Sequence, residues 1–146
     1  MRHHRCMAIG GTARYETQAD LPPRVASAVA AARHDAFSAS CLPEQGRLLQ
    51  LLAAGVGAGR IAETGTGYGV GLAWMASMAH PDARLFSIEG DQHRARRAQQ
   101  VFADDPRVQV RCGQDLARDA PFDPQLRTTE IRVTPTAASL IATYIG

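Results

Sequence analysis

The sequence predicts an α/β fold: a parallel sheet of three strands with crossover helices, preceded by further helices and followed by an antiparallel hairpin. Three observations carry this expectation. Between Arg60 and Cys112, short β-rich runs alternate with helical runs, and strand–helix–strand order calls for parallel strands joined by right-handed crossovers. A glycine-rich stretch, Glu63-Thr64-Gly65-Thr66-Gly67-Tyr68-Gly69, falls between the first strand and the helix that follows it. Near the C-terminus, Thr129 to Thr134 and Ser139 to Tyr144 are β-rich runs separated by Pro135-Thr136-Ala137-Ala138, which is hairpin spacing.

The 146 residues are one domain's worth and enough to bury a core. With 45% hydrophobic and 21% charged residues and a net charge of +2, the composition is ordinary globular, and the basic excess is too small to argue for a nucleic-acid partner. All 16 basic residues are arginine. The absence of lysine excludes Schiff-base chemistry, a pyridoxal phosphate anchor and a Walker-type phosphate-binding lysine. Cys6, Cys41 and Cys112 are odd in number and lack CxxC spacing, which fits a reducing compartment. The N-terminus lacks the apolar region of a signal peptide, and no run approaches the roughly 20 apolar residues of a membrane helix. A cytoplasmic protein without a membrane partner is expected.

Taken in order, residues 1–19 show no sustained period and are expected to form an arm, with the domain spanning 20–146. Asp20 is the expected cap of a helix whose first turn tolerates Pro22 and Pro23, and Val25, Ala28, Val29, Ala32 and Ala36 recur along one face. Pro43 suits the start of a second helix, given an apolar side by Leu48, Leu49, Leu51 and Leu52 and ended by Gly55. Arg60–Glu63, Arg84–Glu89 and Arg107–Cys112 read as strands. Val70 to Ala79 reads as a helix stopped at His80-Pro81, and Asp91 caps another that runs to about Ala103. Trp74, Met75 and Met78 are expected in the core, Cys41 and Cys112 as small buried residues, and His93-Arg94-Ala95-Arg96-Arg97 as a solvated helix face. His34, His80 and His93 have no metal-ligand spacing.

Chemistry concentrates at the glycine turn. Ligands are expected at the carboxyl ends of parallel strands, where glycines let the backbone approach a ligand and the next helix offers its free N–H groups. Glu89 ends the second strand, 20 residues after Gly69 (89 − 69), where a carboxylate can accept from a ribose diol. Together these point to an adenosine-containing ligand. A dinucleotide fingerprint requires G-x-G-x-x-G, but the sixth position is Val70 counted from Gly65 and Leu72 from Gly67, so the nicotinamide reading is weak. Glu63, just before the first glycine, would repel a pyrophosphate yet can face an ammonium or a sulfonium. S-adenosylmethionine carries both.

The glycine stretch resembles the first motif of class I S-adenosylmethionine-dependent methyltransferases, and more narrowly the small-molecule O-methyltransferases related to the catechol and caffeoyl-coenzyme A enzymes. Ser38-Ala39-Ser40-Cys41-Leu42-Pro43-Glu44-Gln45-Gly46 is similar to the family's segment ending in Glu-Gln-Gly, Ile88-Glu89-Gly90-Asp91 resembles its second motif, and Val108 to Gly113 resembles the strand leading to its adenine-contacting turn. The hairpin resembles the family's last two strands. The resemblance implies a Rossmann-like class I methyltransferase sheet and the cofactor S-adenosyl-L-methionine. It puts Glu63, Gly65, Thr66, Gly67 and Tyr68 around the methionine part, Glu89 at the ribose, and Gly113, Gln114 and Asp115 beside the adenine. The family has Gly-Asp at the last position, so in Gly113-Gln114-Asp115 either the aspartate has moved by one or Gln114 replaces it.

After Pro121-Phe122-Asp123 the family continues into a fourth strand with metal-binding acids, a helix, a fifth strand and another helix, whereas here Pro124-Gln125-Leu126-Arg127 leads to the hairpin. The first strand would then lack a neighbour on one side. A segment is expected to be missing near residues 123–128, through a deletion or through loss from the sequence as read; an element swapped in from a second copy in a homodimer would also fill the gap. No general base and no metal ligand can be named. The implied activity is O-methylation of a small-molecule acceptor; the alternative is a non-catalytic module that binds S-adenosylmethionine or its demethylated product.

Overall fold

Pro22, extended at ψ 139°, and Pro23 open the first helix, α1 (Pro23–His34), because a proline's fixed φ suits a first helical turn that has no N–H partner to lose. The computed structural model describes residues 10–113, 126–134 and 137–144. The buried face of α1 is Val25, Ala28, Val29 and Ala32, as the period predicts. Asp20 is not its cap: it sits at φ 57°, outside the helix, and Pro22 takes the cap position. Nor does Ala36 extend the face. With φ 53° it turns the chain out of the helix, and the bonds Phe37 N–H to Ala32 O (2.8 Å) and Ala36 N–H to Arg33 O (3.0 Å) close a Schellman motif.

The second helix, α2 (Pro43–Gly55), starts with Pro43, and Gln45 Oε1 accepts from the Leu42 N–H at 2.9 Å. It buries Pro43, Gln45, Gly46 and Ala53. The expected apolar side is corrected here, since Leu51 and Leu52 are 65% and 41% exposed. What orients the helix is Gly46, where a Cβ would come within 2.2 Å of the Trp74 ring, so only glycine lets that ring lie against the helix.

Then follow β1 (Arg60–Thr64), α3 (Val70–Met78), β2 (Arg84–Glu89), α4 (Gln92–Val101) and β3 (Val108–Cys112). The three strands are parallel in the order β1-β2-β3, so β1 is an edge among the described residues. Asp91 caps α4 by accepting from the Arg94 N–H at 2.9 Å. Leu85, Ser87, Glu89 and Val110 face the buried side of the sheet, while Arg60, Ala62, Arg84, Phe86, Gln109 and Arg111 are exposed on the other. Leu72 and Leu85, both 0% exposed, anchor a core that includes Trp74 and Met75; Met78, expected there, lies at the last position of α3 and is half exposed. Cys112 is also exposed, at the end of an outer strand.

Two expectations at the ends shift. The segment from Gly10 is packed onto the domain: Thr12–Tyr15 form a 3-10 turn in which Thr12 and Tyr15 are buried, and the Trp74 Nε1–H donates to the Tyr15 hydroxyl at 3.0 Å. The hairpin, β4 (Leu126–Thr134) and β5 (Ala137–Tyr144), is antiparallel as expected, but each strand begins earlier, because cross-strand pairing takes up Ala137 and Ala138 despite alanine's weak strand preference.

Candidate functional site

The glycine turn joins β1 to α3 at the carboxyl ends of the parallel strands, as expected for a ligand site. Gly65, Gly67 and Gly69 have φ of 80°, 56° and 85°, left-handed conformations that side chains resist, so the spacing of the three glycines is a backbone requirement. The Gly65 N–H donates to the Ile88 carbonyl at 2.8 Å, pinning the turn to the end of β2, and a Cβ at Gly65 would meet nothing within 4 Å, which leaves open space beside its backbone.

Glu89 is 4% exposed and organises this end of the sheet. Its Oε2 accepts from the Gly67 N–H at 2.7 Å, while Oε1 accepts from the Asp91 N–H (3.0 Å) and from Arg94 Nε (3.0 Å) and Nη2 (2.8 Å). Three of these four bonds fall on Oε1 and one on Oε2, so Oε2 is the less crowded of the two oxygens. The Glu89 carbonyl accepts from the Gly113 N–H at 3.0 Å, which brings the end of β3 alongside.

Beneath the turn lies a second polar chain. Thr66 Oγ1 and Ser87 Oγ are 2.5 Å apart, and Ser87 donates to Glu63 Oε2 at 2.7 Å. Gly71 is what admits the Glu63 carboxyl, since a Cβ there would come within 2.7 Å of its Oε1. Burial pushes the Glu63 carboxyl up to about 7, against the smaller lowering effect of the Ser87 bond. The Thr66 hydroxyl is therefore engaged with the strand below.

Of the residues singled out in the sequence, Glu63, Gly65, Thr66, Gly67, Tyr68, Glu89 and Gly113 come together at this end of the sheet; Gln114 and Asp115 lie outside the described residues, as does Asp123. Tyr68, 4% exposed, directs its hydroxyl to Asp35 Oδ2 at 3.0 Å, and its ring lies 5.0 Å from that of Phe37. Burial and the adjoining Asp35 raise its phenol above the ordinary value. Sequence reasoning missed Asp35, Phe37, Ser87 and Arg94. The Arg94 pairing had a signal, a basic residue one helical turn past the capped Asp91, but the run His93–Arg97 was expected to be solvated. In the structure Arg94 and Arg97 are partly buried in ion pairs with Glu89 and Asp35, because α4 lies against the turn and the end of α1. Among the described residues no group of three or more His, Cys, Asp or Glu side chains is placed to hold a metal ion.

No family model matches the sequence, and no curated protein matches it. Solved structures do. The O-methyltransferase TomG from Streptomyces achromogenes, involved in tomaymycin synthesis and solved in complex with SAM, is 27% identical over 77% of this chain and 52% of that one, with a TM-score of 0.60. A putative O-methyltransferase from Klebsiella pneumoniae is 26% identical over 71% and 49%, with a TM-score of 0.56. A methyltransferase from Geobacter sulfurreducens, at 16% identity, shares the fold over 89% of this chain and 92% of that one, with a TM-score of 0.61. The parallel sheet and its helices thus have the fold of these methyltransferases. Among them, the O-methyltransferases from Streptomyces achromogenes and Klebsiella pneumoniae are those that this chain resembles at 26–27% identity. The chain spans about half the length of the O-methyltransferases it matches.

Proposed function

We propose that the chain binds S-adenosylmethionine above the glycine turn and serves methyl transfer to an oxygen of a small-molecule acceptor. The observation that carries this reading is the Gly67–Glu89 contact: a backbone N–H of the turn meets a buried carboxylate at 2.7 Å through Oε2, the less crowded of its oxygens. A ribose hydroxyl suits that position, because a charge-assisted bond in a water-poor site is strong. The open space beside Gly65 suits a ligand lying directly on the backbone. Burial raises the carboxyl of Glu63, under the turn, and a cationic group nearby would favour its charged form, which suits the methionine end in this place. Gly113, with Gln114 and Asp115 after it, is assigned to the adenine.

When bound, the cofactor supplies an electrophilic methyl on a sulfonium. The chain's task is then to hold donor and acceptor in line and within near-attack distance, and no covalent intermediate with the protein is needed. The turn, fixed through Glu89 and Ile88, provides a rigid floor for this. A cytoplasmic location is supported by the cysteine pattern, and no helix among the described residues is long and apolar enough to cross a membrane. A homodimer is supported by the edge position of β1 among the described residues.

Calorimetry with S-adenosylmethionine and S-adenosylhomocysteine tests the reading. Saturable binding of both supports it, and no heat at millimolar ligand overturns it. Binding without transfer to any oxygen acceptor would leave the non-catalytic module.

A further inference from the structure

We infer that Asp35 is a positioning residue for the glycine turn, acting through the Tyr68 hydroxyl; this rests on the proposed role of that turn in holding the cofactor. Asp35 caps the end of α1 and gathers donors from three elements. Its Oδ2 accepts from Tyr68 Oη at 3.0 Å, from Arg97 Nε at 2.9 Å and pairs with His93 Nε2 at 3.0 Å, while Oδ1 lies 2.6 Å from His34 Nδ1. So many donors on one carboxylate hold it in its charged form and fix its direction.

The consequence reaches the ligand side of the turn. Tyr68 follows Gly67, whose N–H is bonded to Glu89, and Phe37 lies against both: its ring is 5.0 Å from that of Tyr68, and its Cε1 would be 3.2 Å from a Cβ at Gly67. Arg94, the partner of Glu89, stands 5.7 Å over the Phe37 ring. The left-handed turn at Ala36 sets Asp35 and Phe37 on either side of itself, one reaching the Tyr68 hydroxyl and the other its ring. A strained backbone residue between two side chains that touch the same loop is the pattern expected where conformation is held for function. Asp35 makes no contact with the space beside Gly65; it works by holding Tyr68 in place, and with it the Gly67 N–H.

The test uses Asp35→Asn, Tyr68→Phe and the double variant, with Asp104→Asn as a control, since Asp104 is an exposed carboxylate paired with Arg24 away from the turn. Two quantities are read: the amide resonances of residues 65–69 in the cofactor-free protein, and the affinity for S-adenosylmethionine. D35N and Y68F are each expected to move the same turn amides and to weaken binding by roughly tenfold, the double variant by no more than either single one, and D104N to do neither. Turn amides unmoved by D35N, or losses that add in the double variant, overturn the inference. If D35N does not fold, Y68F alone decides: unchanged turn amides overturn it. A wild-type protein that binds no cofactor overturns the proposed function instead, and the amide readout still decides the role of Asp35.

Discussion

Glu63 and Ser87 stand opposite each other across the parallel pair β1 and β2, and the Ser87 hydroxyl donates to the Glu63 carboxylate at 2.7 Å. The contact satisfies an acid that the turn and α3 cover.

The covering has a pH signature. The Glu63 carboxyl rises from 4.5 when unfolded to about 7 when folded, so the folded state holds a proton that the unfolded chain releases. Stability from this group is full below about 4.5 and is lost as the pH climbs through about 7. Denaturant unfolding at pH 5 and pH 8 should show the wild type weaker at the higher pH, by about 3 kcal/mol at most. Glu63→Gln should remove most of that difference.

Glu89→Ala should weaken S-adenosylmethionine binding by about 1.5–3 kcal/mol for each charge-assisted bond lost. Because Glu89 also holds the Gly67 N–H and Arg94, a further loss from disorder of the turn is expected. Calorimetry at fixed salt checks this, and an unchanged affinity would remove Glu89 from the site.

Gly46→Ala drives a methyl into the Trp74 ring, 2.2 Å away on a buried side chain that cannot yield. A loss of about 1–3 kcal/mol is expected, measured as a lowered Tm.

Ala36→Gly goes the other way. A left-handed alanine costs about 1–2 kcal/mol, and glycine at the same Schellman position recovers part of it, less its greater freedom in the unfolded chain. A gain of up to about 1 kcal/mol is expected, read from the same thermal melts.

Cofactor affinity should be indifferent to a chelator. A loss of binding on adding the chelator, restored by magnesium or calcium, would expose an acid cluster beyond the described residues.

Local chemistry made much of this legible in the sequence. The β-rich run Arg84–Glu89, the cap at Asp91 and the glycine turn each depend on residues a few positions apart, and each stands where expected. Contacts between distant residues did not announce themselves. Asp35 meets Tyr68, His93 and Arg97 across 33, 58 and 62 residues, and no periodicity encodes that meeting. The leucines of α2 misled for a related reason: apolar content says that a helix has a face to bury, whereas the space left by Gly46 for Trp74 decides which face it is. Likewise, the docking of the segment from Gly10 depends on Tyr15 meeting Trp74, 59 residues away.

That last contact gives the protein a built-in optical gauge. Trp74 is the sole tryptophan in the sequence, and its indole is buried with its N–H on the Tyr15 hydroxyl. Its emission should therefore be blue-shifted in the native protein, and should move to longer wavelength if the stretch around Tyr15 peels away while the sheet stays folded. Comparing that spectral change with far-ultraviolet circular dichroism during gentle denaturation would separate lifting of the N-terminal flap from collapse of the whole domain, without any attached dye.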